Sequence, residues 1–481
     1  MVFSDLFFIY AFIPAFALCY MLGALIDKYI LNEDGTQSFA AKNTMLVIFS
    51  LIFYAWGEPV YVFLMLGSVL LNYFSGIVIH KSTAHRKAAL AMGVGINLVI
   101  LATFKYLGFF AQQLIGLGMS MEEPKIALPI GISFYTFQSI SYLVDVYRKD
   151  SPVQRTFRGL LLYISMFPQL IAGPIVRYGT VANEINERHV SRNDIAEGVY
   201  RFLIGLGKKV IIANQFSEIA DQFLVTDFSS LTTTGAWVGI LAFTMQIYFD
   251  FSGYSDMAIG IGRCIGFHFN ENFNHPYCCD SISDFWRRWH MSLGSFFRDY
   301  VYIPLGGNRR HQALNIFVVW FLTGMWHGAS WNFIIWGLYF GLIVALEKYT
   351  LLRWKEKIPA VVLHVYSLLL VVLGWGIFYF VDFEKMTRFF TVLFGGGGKL
   401  HDFVTESALA SNFWLWTVAI LFCMPLRRWA AQAITRHFGE DPRKEQIIMM
   451  TTRIVYSVAA LVISTALLVG ATNNAFLYTR F

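Results

Sequence analysis

Apolar stretches recur along the whole chain, near residues 6–26, 44–56, 58–79, 88–110, 127–147, 159–176, 198–214, 233–266, 312–326, 331–349, 360–381, 412–426 and 453–472. Many approach the roughly 20 residues that a helix needs to cross a bilayer, so the pattern predicts an all-α polytopic membrane protein. The segments 44–56 and 312–326 are shorter, which predicts tilted or re-entrant elements buried within protein. The expected organisation is a single membrane domain over 1–481, with N-terminal helices in 1–126, a central core over about 127–341 and C-terminal helices in 342–481. No internal repeat and no matched pair of interrupted helices is visible, which weighs against an inverted-repeat transporter or flippase. The run from Gly395 to Gly398 predicts a flexible loop.

Polar residues inside apolar segments carry the next layer of information, because an unpaired polar group in hydrocarbon is costly. Tyr135, Gln138, Tyr142 and Asp145 recur at steps of three, four and three, which places them on one helical face. Such a face is an interhelical hydrogen-bonding stripe or the wall of a cavity. Gln246, Asp250 and Tyr254 repeat the theme at i, i+4 and i+8, and Asp256 nearby is either a functional acid at membrane depth or a structural partner of Arg263. Two G-x-x-x-G pairs, Gly324 with Gly328 and Gly337 with Gly341, predict close helix approach around His327, which Trp326 and Trp331 flank. A lone histidine among aromatics is ordinarily a hydrogen-bonded core residue. A second histidine, His290, follows Trp286, Arg287, Arg288 and Trp289, a composition that suits an amphipathic helix lying at the membrane surface.

Composition narrows the class. Charged residues make up 14% of the 481, against about 25% in soluble domains, too few for a water-facing surface. The formal balance of +6 sits in short loops rather than in one patch, so it sets topology and predicts no nucleic-acid partner. The basic clusters at Lys28 and Lys42, at Lys81 to Lys87, and at Arg148 to Arg158 put the loops 27–43, 80–88 and 148–158 in the cytoplasm and the N-terminus outside. Beyond 176 the alternation blurs. Either 159–176 does not cross fully or the rule fails there. The first apolar run has no basic flank or small-residue cleavage site and is expected to remain as a span rather than to be removed as a signal peptide. The five cysteines form no disulfide framework, and no ligand spacing predicts a metal site.

Six runs give the sequence a recognisable character. They are Pro129 to Gln138, Phe167 to Ile175, Asp250 to Ala258, Trp286 to Asp299, Tyr302 to Arg309 and Trp326 to Trp331. In this order, over about 127–341, they resemble the membrane-bound O-acyltransferase family, and within it the alginate O-acetyltransferase branch of bacteria. The resemblance implies a ring of about 11–13 transmembrane and re-entrant helices around a thinned centre, with funnels from both faces. It also implies that His327 is the catalytic histidine and His290 a second functional one. Trp326, Trp331, Asn332, Trp289, Arg288, Asp250, Tyr254, Gln138 and Tyr135 are then expected to line or support the substrate path. One departure stands out: the family's aromatic run ending in Arg-Ala corresponds here to Trp375 through Asp382, without the arginine.

The implied chemistry suits these residue types. A sugar hydroxyl is a poor nucleophile near neutral pH, so an imidazole must take its proton as it attacks a thioester. Burial among aromatics favours the neutral, proton-accepting ring at His327. His290 and Asn332 are candidates to orient the donor or to stabilise the oxyanion. An acyl-histidine intermediate is the less favoured variant. No tightly bound cofactor is expected; the co-substrate is an acyl thioester, acetyl-CoA or a cytoplasmic acyl carrier protein. The expected acceptor is a polysaccharide, reached directly or through an extracytoplasmic acetyltransferase of the SGNH type, at the bacterial inner membrane. D-alanyl transfer to teichoic acid and peptidoglycan O-acetylation are the sibling readings.

Overall fold

The computed structural model describes residues 2–31, 38–225, 228, 230–438, 441–471 and 476–477. Helices account for all the regular structure among the described residues, with no strand. Seven of these helices are long and apolar enough to cross a membrane: Phe8–Tyr29 (α1), Ala40–Gly57 (α2), Tyr61–Lys81 (α3), Arg86–Gly116 (α4), Trp331–Lys357, Ala360–Tyr379 and Arg443–Val469. Phe403–Ser411 and Phe413–Cys423 make a further pair, bent by 61°. The protein is a multi-pass membrane protein. The chain packs as two compact units, one of Met1–Phe202 with Ser255–Asn270 and the other of Leu203–Tyr254 with Glu271–Phe481.

In the first unit, polar side chains act as fasteners between apolar helices. The Asp27 carboxylate, at the end of α1, accepts the backbone N–H groups of Ala41 and Lys42 at 2.8 and 3.0 Å. A carboxylate is favoured at a helix N-terminus, where unpaired N–H groups point outward. This cap starts α2 ahead of its apolar run. The segment sensed from hydrophobicity as 44–56 therefore becomes an 18-residue helix that qualifies as a span. Asn72 of α3 and Asn97 of α4 exchange amide hydrogen bonds at 3.0 and 2.8 Å. Arg86 donates to the carbonyls of Val146 and Tyr147, which end the helix Ile132–Arg148 (α5).

The stripe on α5 is buried as its periodicity predicts, but the rest of that helix is largely buried as well. Tyr142 accepts the backbone N–H of Gln154 at 3.2 Å. The hydroxyl of Tyr135 and the amide of Gln138 are fully buried with no hydrogen-bond partner among the described residues. Asp256 does not pair with Arg263. It binds Arg201 at 2.6 Å, and Arg263 binds Asp194 at 3.3 Å. Positions seven apart on one helix share a face but lie two turns, about 10 Å, apart along the axis.

The second unit holds most of the helix Thr233–Cys264 (α6), the short helices Ile282–Arg288 (α7) and Met291–Phe297 (α8), and then Gln312–His327 (α9), Trp331–Tyr349 (α10) and Ala360–Tyr379 (α11). The tryptophans around His290 face inward rather than toward a membrane surface. Trp286 lies 4.9 Å from Trp320 and 5.0 Å from Phe340, and Trp289 lies 4.9 Å from Trp375. Ring-on-ring packing of this kind adds about 0.5–1.5 kcal/mol per pair beyond the area buried. The indoles of this stretch are thus part of the protein interior.

Candidate active site

His327 closes α9 and is buried. The glycines of the two G-x-x-x-G pairs set its surroundings. A Cβ on Gly324 would fall on the Phe333 carbonyl, and one on Gly337 would fall on the Trp320 carbonyl, closer than any real contact. Only glycine lets α9 and α10 lie this close. At that crossing His327 is edge-on to Trp326 at 4.9 Å, Trp336 at 4.9 Å and Phe378 at 5.3 Å. The apolar shell thus includes Trp336 and Phe378, whereas Trp331 is 47% exposed at the first position of α10.

His290 is positioned by a different device. Ser281 caps α7 through its hydroxyl, which accepts the Asp284 N–H. The buried Glu347 of α10 accepts the N–H groups of Ile282 and Ser283, both at 2.7 Å. A carboxylate at that helix N-terminus is doubly favourable. After α7 the backbone turns through the left-handed region at His290, with φ 44° and ψ 52°. That conformation costs a residue with a Cβ roughly 1–2 kcal/mol. Asn272 holds the turn: its carbonyl accepts the Met291 N–H at 2.9 Å, and its side-chain Oδ1 faces His290 Nδ1 at 3.0 Å.

The same Oδ1 accepts the Ser292 hydroxyl at 2.8 Å and the Ser292 backbone N–H at 3.3 Å. A backbone N–H can only donate, so the atom it meets is the amide oxygen and not the nitrogen. It follows that His290 donates from Nδ1 and carries its lone pair on Nε2. Nε2 is buried with no hydrogen-bond partner among the described residues. Burial lowers the His290 pKa to about 3, so the ring is neutral at any physiological pH. The ring lies 4.7 Å from Phe251 and 5.7 Å from Trp326. Both histidines therefore contact the Trp326 indole.

A cavity of ≈ 20 Å³ lies beside His327, bounded also by Asp250, Trp336, Trp375, Phe378 and Phe476. That is room for about one water molecule. Asp250 is fixed on both oxygens, by Lys209 at 2.6 Å and by the Leu477 N–H at 2.8 Å. Trp289 also lines this space, and Tyr254 lies against Phe476 at 4.7 Å.

Several anticipated residues have other tasks. Asn332 donates its amide to the carbonyls of Phe378 and Ile377 at 3.0 and 3.4 Å, which fastens the end of α11 to α10 and takes up its N–H groups. Arg288 binds Asp284 at 2.8 Å, one turn back on α7. Tyr135 and Gln138 belong to the first unit and are described there. The sequence did not single out Asn272, Glu347, Lys209, Trp336, Phe378 or the Phe476–Leu477 pair. Glu347 was the most visible of these, as the lone acid in an otherwise apolar span.

A multi-pass helical protein with two buried imidazoles packed around one indole has the features of a membrane-bound group-transfer enzyme. Residues 15–356 match the model of MBOAT, the membrane-bound O-acyltransferase family, and the chain belongs to that family. It is an O-acyltransferase. Over 408 residues it is 40% identical to the probable alginate O-acetylase AlgI of Pseudomonas putida, covering 82% of this chain and 81% of that one. It is 34% identical over 434 residues to the peptidoglycan O-acetyltransferase of Helicobacter pylori, covering 83% and 80%. The teichoic acid D-alanyltransferase of Bacillus subtilis is 27% identical over 245 residues, 47% of this chain and 60% of that one.

Proposed function

We propose that the protein carries an acetyl group from a cytoplasmic thioester, acetyl-CoA or an acyl carrier protein, to hydroxyls of an exported polysaccharide. Transfer is direct or passes through an extracytoplasmic SGNH-type acetyltransferase. The setting is the bacterial inner membrane with the N-terminus outside. The support for a polysaccharide acceptor is the 40% identity to an alginate O-acetylase over four-fifths of both chains. Peptidoglycan is the second acceptor, favoured by the 34% identity to a peptidoglycan O-acetyltransferase over a similar span. D-alanyl transfer has weaker support, since that relative matches under half of this chain.

The observation that carries the mechanism is the placement of His327 at the cavity, with His290 across Trp326. His327 takes the proton from the acceptor hydroxyl as its oxygen bonds to the thioester carbonyl carbon. The tetrahedral intermediate collapses, the C–S bond breaks, and the imidazolium returns its proton to the leaving sulfur. Ester and free thiol result. The tautomer of His290 suits a hydrogen-bond acceptor that orients the hydroxyl, because its only N–H is committed to Asn272. An oxyanion donor must come from elsewhere. The Trp336 indole N–H is buried without a hydrogen-bond partner among the described residues and its side chain lines the cavity, which fits that task. Asn332 is a positioning residue in this account.

The test is His327→Ala in cells. Polymer acetylation should vanish while membrane insertion and protein level stay as in wild type. Persistent acetyl content by mass analysis of the surface polymer would remove His327 from the mechanism.

A further inference from the structure

The cavity beside His327 is bounded on one side by Phe476 and Leu477, and both are buried. Two contacts hold them there. The Leu477 N–H donates to Asp250 Oδ2 at 2.8 Å, and the Phe476 ring lies 4.7 Å from Tyr254 and 6.3 Å from Phe251. Asp250 cannot swing away to release the segment, because Lys209 binds its other oxygen at 2.6 Å. A buried ion pair is weak evidence for stability. Here it gives a fixed anchor for the Phe476–Leu477 pair.

The space this leaves is about one small group across. Trp375, Phe378, Phe476 and Leu477 all bound it, and all lie beyond the residues 15–356 that match the family model. Part of the pocket wall is therefore supplied by residues outside that match, against Asp250, Trp289, His327 and Trp336 within it.

We propose that Phe476 and Leu477 determine acyl-group specificity: latched to Asp250, they form the wall that must yield for an acyl group to be seated, a little for two carbons and more for each carbon beyond. The inference rests on the acyl-transfer reading above and adds which residues select the acyl group. The resting cavity holds about one small group, so an acyl group is seated by displacing the walls, and each further methylene demands a larger displacement. Interiors are close-packed, so the extra carbon must either push Phe476 off Tyr254 or break the Leu477–Asp250 bond.

The experiment uses the full-length protein in membranes, with acetyl-, propionyl- and butyryl-CoA supplied in competition and esters on the acceptor identified by mass. Wild type should favour acetyl. Phe476→Ala should raise the propionyl-to-acetyl ratio on the order of tenfold, the discrimination one methylene allows in an apolar pocket. Phe476→Trp should lower it. Unchanged ratios in both variants would overturn the proposal. So would loss of all transfer in both variants at normal protein level, since the pair would then serve the fold and not the pocket. A wild-type protein that transfers none of the three groups would overturn the acyl-transfer reading itself, so the two failures are distinguishable.

Discussion

Replacing Asn272 with Asp tests the account of His290 most sharply. The substitution keeps an acceptor oxygen for Nδ1, for the Ser292 hydroxyl and for the Ser292 N–H, which Asn272 now serves at 3.0, 2.8 and 3.3 Å. The turn should therefore still form. Asn272→Ala, by contrast, would leave buried donors unsatisfied at roughly 1–3 kcal/mol each. What Asp adds is negative charge in hydrogen-bond contact with an imidazole whose pKa burial holds at about 3. An opposite charge at this range raises a pKa by roughly 1–3 units, which brings His290 to roughly 4–6. Protonation removes the Nε2 lone pair, so activity should fall on the acid side of the new value. Wild type should show no inflection from His290 between pH 5 and 8, whereas the variant should gain an acid limb near the lower end of that range. The assay is acyl transfer by detergent-solubilised protein across pH 4.5 to 9. A variant with the wild-type profile and wild-type rate would refute both the tautomer assignment and the role of Nε2.

Trp336→Phe keeps an aromatic ring against His327 and deletes the N–H; kcat should fall by about 10²–10³ with KM nearly unchanged, and an unaltered kcat would exclude the indole as oxyanion donor. Gly337→Ala places a methyl on the Trp320 carbonyl and should cost about 1–3 kcal/mol, seen as a lower unfolding temperature in detergent and reduced activity. Gly95→Ala, where a Cβ meets nothing within 4 Å, is the matched control and should leave unfolding unchanged or raised. The fold should also lose stability as pH drops below about 6.5, where the unfolded His290 takes up a proton that the buried one refuses; equal stability at pH 5 and pH 7 in His290→Asn but not in wild type would assign that slope.

Much of this architecture was legible in the sequence because it rests on local periodicity. The apolar rhythm found the spans, the three-four-three spacing found the buried stripe of α5, and the paired glycines found the α9–α10 crossing. The errors arose where the chain breaks its period. Trp331 looked like a wall of the His327 site by proximity, but Ser330 is extended, with φ −151° and ψ 154°, and α10 restarts after it. The face that meets His327 is then carried by Trp336. Asn272, Glu347 and Leu477 lie 18, 65 and 227 residues from the groups they bind. No spacing rule reaches that far, and the last of these acts through a backbone N–H that any residue but proline supplies.

The tight fit around His327 also bears on wasteful side reactions. A thioester is prone to attack by water, and an imidazole that can activate a sugar hydroxyl can activate water equally well. With space for only about one small molecule, an incoming acyl group evicts the solvent that would hydrolyse it. Aromatic walls offer few polar atoms to draw another in. In the proposed reaction the site thereby protects a thioester donor by crowding, and the cost is that rings must shift before that donor is seated.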